Sequence, residues 1–89
     1  MKIVVVGLGY VGLSNAILLA QTNEVIGVDI SQERVDAVNS RKSPISDPEL
    51  AEHLATKQLN LSASTNWNAA IIGADYVVVS TPTNYDEDM

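Results

Sequence analysis

The chain has 89 residues, 46% of them hydrophobic, and a net charge of −6, which suits one small folded domain in the cytoplasm. It has no cysteine, so it has no disulfide framework, no thiolate metal site and no thiol nucleophile, and no metal is expected. Lys and Arg form no cluster, no apolar stretch nears the ~20 residues of a membrane span, and no signal-peptide pattern follows the first apolar run, so neither a nucleic acid nor a membrane is an expected partner.

Lys2 to Val6 is a continuous β-branched run, the pattern of a central parallel strand buried on both faces. Gly7, Gly9 and Gly12 follow as G-x-G-x-x-G. Gly7 permits a tight turn out of the strand, Gly9 leaves room for a phosphate to approach the backbone, and Gly12 allows close packing of the next helix. That helix is expected over Tyr10 to Gln21, apolar on most sides, and its N-terminal N–H groups and dipole suit a diphosphate. Glu24 to Asp29 reads as a second strand, with Gly27 inside it marking a close approach by the first helix or the Gly-rich turn. Asp29 stands twenty positions after Gly9, near the spacing at which an acid binds a ribose in dinucleotide folds.

Ser31 caps a second expected helix running to about Ser40. Ser43-Pro44-Ile45 is an extended connector, and Asp47-Pro48-Glu49 is a helix start with Asp as cap and Pro at the first position. Leu59, Leu61 and Ala63 alternate with polar residues as a short strand near a sheet edge. Trp67, Ala70 and Ile71 form the inner stripe of a short helix that Gly73 ends, with Trp67 read as core. Tyr76 to Ser80 is a fourth strand, broken by Thr81-Pro82-Thr83, and the acidic tail carries no pattern.

The order β-α-β-α-α-β-α-β implies an α/β fold: a Rossmann-like parallel sheet, partial, of four strands in the order 3-2-1-4 with helices on both faces. Its ligand belongs at the C-terminal ends of strands one and four. The Gly-rich turn, Asp29 and the segment Ser80 to Thr83 converge there. Asp29 accepts hydrogen bonds from both ribose hydroxyls and repels a 2′-phosphate, which favours NAD over NADP; the alternative is an acid that caps the second helix. Arg34 either flanks the adenine ribose or lies on a solvated helix face. Thr81 and Thr83 either touch the cofactor or only end the strand. His53 is expected at the surface.

The run MKIVVVGLGYVGLSNAILLAQ, the segments EVIGVDIS, ERVDAVN and SPISDPEL, and the final DYVVVSTPTNYD together resemble the N-terminus of the UDP-glucose/GDP-mannose dehydrogenase family, most of all its bacterial UDP-glucose 6-dehydrogenase branch. The resemblance covers essentially the whole chain. It implies NAD-dependent oxidation of a sugar C6 hydroxyl to a carboxylate in two hydride transfers. It also implies cofactor contacts at Gly7, Gly9, Tyr10, Val11, Gly12, Asp29, Arg34 and Thr83. The family works through a cysteine on a much longer chain, and this sequence has none. Residues 1–89 are therefore expected to be the N-terminal portion of an NAD-binding domain from a partial reading frame. The sugar-binding catalytic domain is absent, no catalytic residue is present, and an open edge at the fourth strand favours self-association. A stand-alone nucleotide-sensing module, sharing the Gly-rich turn and the ribose acid, is the alternative.

Overall fold

A computed structural model describes residues 1–43, 47–56 and 58–80 of the chain. Eight elements follow in order: β1 (Lys2–Val6), α1 (Tyr10–Ala20), β2 (Glu24–Val28), α2 (Gln32–Asn39), α3 (Pro48–Thr56), β3 (Leu61–Ser64), α4 (Trp67–Ile71) and β4 (Tyr76–Val79). The strands form one sheet in the order β3-β2-β1-β4, and every pair is parallel. In register, Val6 lies beside Val28 and Val79, and Val28 beside Ser64, so the C-terminal ends of all four strands share one rim.

The alternation of side chains along each strand divides the core in two. Ile3, Val5, Val25 and Leu61 pack on one face against Leu13, Ala16, Ile17 and Ala20 of α1, Val35 and Val38 of α2, and Leu50 and Leu54 of α3. Burying each such Leu, Ile or Val stabilises the fold by about 1.5–3 kcal/mol, so this layer carries most of the hydrophobic driving force. Val4 and Val28 face the other way and meet Ala70, with Val6, Ile26, Ile71 and Ala74 packed around them. Only α4, five residues long, lies on that side among the described residues. Val77 and Val79 of β4 therefore stay exposed, at 44% and 62%.

The β-branched strand and the helix starts fall where the pattern places them. Ser31 Oγ accepts from Arg34 N–H at 3.3 Å, Asp47 Oδ1 accepts from Glu49 and Leu50 N–H at 2.9 and 3.1 Å, and Asn66 Oδ1 accepts from Ala69 N–H at 3.1 Å. Each satisfies an N–H that a helix start leaves without a partner. α2 closes with a paired-bond motif: Arg41, at φ 61°, donates its N–H to Val38, and Lys42 donates to Ala37. The Arg41 guanidinium also bonds the carbonyls of Val38 and Leu59, tying the end of α2 to the approach of β3.

The two sheet edges differ. On β3 the Asn39 amide pairs with the backbone of Ala63 in both directions, donating to its carbonyl at 3.0 Å and accepting from its N–H at 2.9 Å. A side chain thereby occupies backbone groups that another strand would use. No such plug is present on β4 among the described residues.

Trp67 corrects the sequence reading. It is 41% exposed rather than core. A five-residue helix rises only about 7.5 Å, and α4 begins at the rim just past β3. Its first residue therefore sits at the rim, while Ala70, one turn on, reaches the sheet. Leu18 and Val11 likewise leave α1 less enclosed than its composition suggests, each 65% exposed. The Ser43-Pro44-Ile45 connector lies largely outside the described residues, and so do Thr81 and Thr83.

Candidate dinucleotide-binding site

The site is built at the rim by the turn from β1 to α1. Gly7 has φ 96°, a conformation open to glycine and costly for other residues, and its N–H is held by the Val28 carbonyl at 2.7 Å. The chain thus turns out of the sheet while still tied to β2. Gly12 sits against the same turn. A Cβ there would overlap the Gly7 carbonyl oxygen, and would lie 2.9 Å from the carbonyl carbon and 3.2 Å from Ser80 Cβ. Gly9 is different. Its φ of −75° and ψ of −168° suit any residue, and a Cβ built on it meets nothing within 4 Å. Among the described residues, no packing requires glycine at this position.

The start of α1 contrasts with the other helices. It has no side-chain cap and no acid in its first turn. Its first internal hydrogen bond runs from Leu13 N–H to the Gly9 carbonyl at 2.8 Å. The N–H groups of Tyr10, Val11 and Gly12 precede that bond and lie at the positive end of the helix dipole. The open space at Gly9 and this uncapped turn adjoin each other, and together they fit the diphosphate of a dinucleotide without any basic side chain.

Asp29 follows β2 at the same rim, with its side chain only 8% exposed. Its two oxygens each take one backbone N–H: Oδ2 from Leu8 at 2.8 Å and Oδ1 from Ser31 at 2.9 Å. It therefore fastens the Gly-rich turn to the entry of α2. The bond to Ser31 is the helix-entry role; the bond to Leu8 links it to the Gly-rich turn. A carboxylate offers about four lone-pair sites, so acceptor capacity remains for ribose hydroxyls. Arg34 Nη1 stands 3.6 Å from Oδ2 with a side chain 43% exposed, a weak surface-type ion pair that leaves the guanidinium at the cleft wall.

These residues border one cleft of about 370 Å³, walled by Gly7, Gly9, Asp29 and Arg34 together with Val6, Val28, Ile30, Thr65 and Trp67. Tyr10 and Val11 lie just beyond it on α1, both largely exposed. Gly12 is buried beneath the turn. Thr83 lies outside the described residues. Sequence reasoning did not place Leu8, Ile30 or Thr65 at the site, and it read Trp67 as core. Leu8 could have been found from Gly27: a Cβ on Gly27 would come within 2.6 Å of Leu8 Cδ2, so the close approach there is by the side chain of the Gly-rich turn itself. The uncapped start of α1, among helices that all carry a cap, is a second signal readable from sequence.

All 89 residues match the model of the UDP-glucose/GDP-mannose dehydrogenase family, NAD binding domain. The chain belongs to this family. Its cofactor is NAD, and the free N–H donors of the uncapped helix, the open space at Gly9 and the acceptor carboxylate of Asp29 fit that group. The chain is 46% identical over its whole length to a UDP-glucose 6-dehydrogenase from Streptococcus pneumoniae and covers 23% of that protein. It is 38% identical over 94 aligned positions to a GDP-mannose 6-dehydrogenase from Pseudomonas aeruginosa, covering all of this chain and 22% of the relative. In structure it matches a ternary complex of GDP-mannose dehydrogenase from Pseudomonas aeruginosa with a TM-score of 0.85 and 35% identity, over 98% of this chain and 21% of the other. The family member described here thus spans about a quarter of the length of these relatives. Among its described residues, no helix is long and apolar enough to cross a membrane.

Proposed function

We propose that this chain is the NAD-docking portion of a nucleotide-sugar dehydrogenase that oxidises the C6 hydroxyl of UDP-glucose to the carboxylate of UDP-glucuronate. The observation that carries this reading is the uncapped start of α1 beside the open space at Gly9, joined through Leu8 N–H to Asp29. In this assignment the N–H groups of Tyr10 and Val11 hold the diphosphate. Gly9 gives it room, Gly7 and Gly12 set the turn, Asp29 accepts the ribose hydroxyls and Arg34 flanks them. Thr83 is assigned to the cofactor border by the family resemblance alone. NAD supplies the hydride acceptor for the two oxidation steps. UDP-glucose is favoured as substrate because identity to the UDP-glucose 6-dehydrogenases exceeds that to the GDP-mannose enzymes.

The 89 residues include no cysteine, so these residues do not form a thiohemiacetal with the sugar, and they are inactive by themselves. The exposed β4 edge, unlike the plugged β3 edge, pairs with a second copy of the chain at high concentration. Calorimetric titration of the chain with NAD⁺ and NADP⁺ tests the cofactor assignment: NAD⁺ binds more tightly, and equal or tighter binding of NADP⁺ refutes the role of Asp29. For the substrate, the intact enzyme turns over UDP-glucose in preference to GDP-mannose; the reverse preference refutes that assignment.

A further inference from the structure

We propose that Trp67 is the adenine-positioning residue of this site, an aromatic wall against which the base of NAD rests. The proposal rests on the docking arrangement above and extends it to the end of the cleft that arrangement leaves unassigned. The strands set the direction. The diphosphate belongs at the end of β1 and the ribose at Asp29, at the end of β2. Neighbouring strands are about 4.8 Å apart. A dinucleotide that steps from β1 to β2 over this span carries its base onward to the end of β3, since the sheet order is β3-β2-β1. What stands at that end is Thr65 and Trp67, lining the same cleft as Asp29, Ile30 and Arg34.

The character of these side chains suits a flat aromatic ring. Ile30 is 99% exposed although it lies two residues past the buried end of β2, and Trp67 is 41% exposed although it is the largest apolar side chain in the chain. Both give up apolar surface to water at the rim of one cleft, and a base placed between them would cover it. Trp and Arg side chains both pack well on the face of a π system, and Arg34 is on the same wall. A purely structural role accounts less well for Trp67: the helix cap is supplied by Asn66, and the contact of α4 with the sheet is made by Ala70 and Ile71.

Trp67 is the sole tryptophan of the chain, so its emission reports on this position alone when excited apart from tyrosine. The experiment is a fluorescence titration of the 89-residue chain with NAD⁺, ADP-ribose and nicotinamide mononucleotide, with calorimetry in parallel. NAD⁺ and ADP-ribose change the emission along the calorimetric isotherm, and nicotinamide mononucleotide, which has no adenine, does not. Stacking of a base on an aromatic side chain predicts that Trp67→Ala weakens NAD⁺ binding about tenfold, while Trp67→Phe weakens it less than about threefold. Both variants keep the thermal midpoint of the parent to within a few degrees, which separates a contact with the base from a role in folding. Calorimetric binding of NAD⁺ with unchanged emission, or with full affinity in Trp67→Ala, overturns the proposal and leaves the docking assignment standing. Absence of binding heat with NAD⁺ itself removes the docking assignment and the proposal with it.

Discussion

Gly9 and Gly12 are two glycines of one motif with opposite physical reasons, and alanine at each separates them. At Gly12 a Cβ overlaps the Gly7 carbonyl oxygen, and the obstacle is the backbone of a turn that the Gly7 N–H bond to Val28 holds in place. Overpacking typically costs 1–3 kcal/mol, and backbone contact puts this one at about 3. The whole domain, at about 0.05–0.15 kcal/mol per residue, has some 4–13 kcal/mol in total. Gly12→Ala therefore removes a large share of it, and the thermal midpoint falls by about 12–24 °C. At Gly9 the backbone is already in a region open to alanine and the Cβ meets nothing. The substitution leaves stability within about 0.5 kcal/mol of the parent, or raises it slightly by restricting the unfolded chain. Binding is another matter, because the new methyl stands where the proposed docking arrangement puts the diphosphate. Loss of one charge-assisted hydrogen bond, about 1.5–3 kcal/mol, weakens NAD⁺ binding by about 10- to 150-fold. Thermal denaturation followed by circular dichroism, with calorimetry at a fixed salt concentration, reads both effects. If Gly9→Ala melts as early as Gly12→Ala, or binds NAD⁺ like the parent, the division of roles is wrong.

Asp29→Asn tests the carboxylate. Whichever way the amide is turned, its NH2 faces either Leu8 N–H or Ser31 N–H, so one of two existing bonds becomes a donor–donor contact. The expected cost is about 1–3 kcal/mol of stability together with a smaller preference for NAD⁺ over NADP⁺, measured by denaturant unfolding and paired titrations; an unchanged midpoint refutes the clamp between the Gly-rich turn and α2. Asn39→Ala unplugs β3, loses two hydrogen bonds to Ala63, and lowers stability by about 1–2 kcal/mol while increasing association in sedimentation velocity. On β4, Val79→Lys places a charge on an exposed edge residue and shifts the chain toward monomer. A parent chain that sediments as a strict monomer at high concentration counts against edge pairing.

The sequence by itself determined the sheet order and the Gly-rich turn. Both rest on short-range chemistry: β-branched runs with no polar face in β1, caps one residue before α2, α3 and α4, and three glycines whose spacing serves a single turn. Family membership was legible for the same reason, since Gly-Tyr-Val-Gly-Leu and the segments that follow it are local strings. Tertiary structure decided what depends on where elements end relative to one another. Trp67 has the i, i+3, i+4 spacing of a core stripe, and nothing local reveals that α4 starts at the rim and is too short to carry its first residue over the sheet. Asn39 and Ala63 are 24 residues apart, so the plug on β3 exists only once α2 packs beside that strand. The two glycines sharpen the same distinction. In sequence Gly9 and Gly12 belong to one motif, whereas in space one abuts a carbonyl and the other faces open volume, because only the folded turn fixes what stands opposite each missing Cβ.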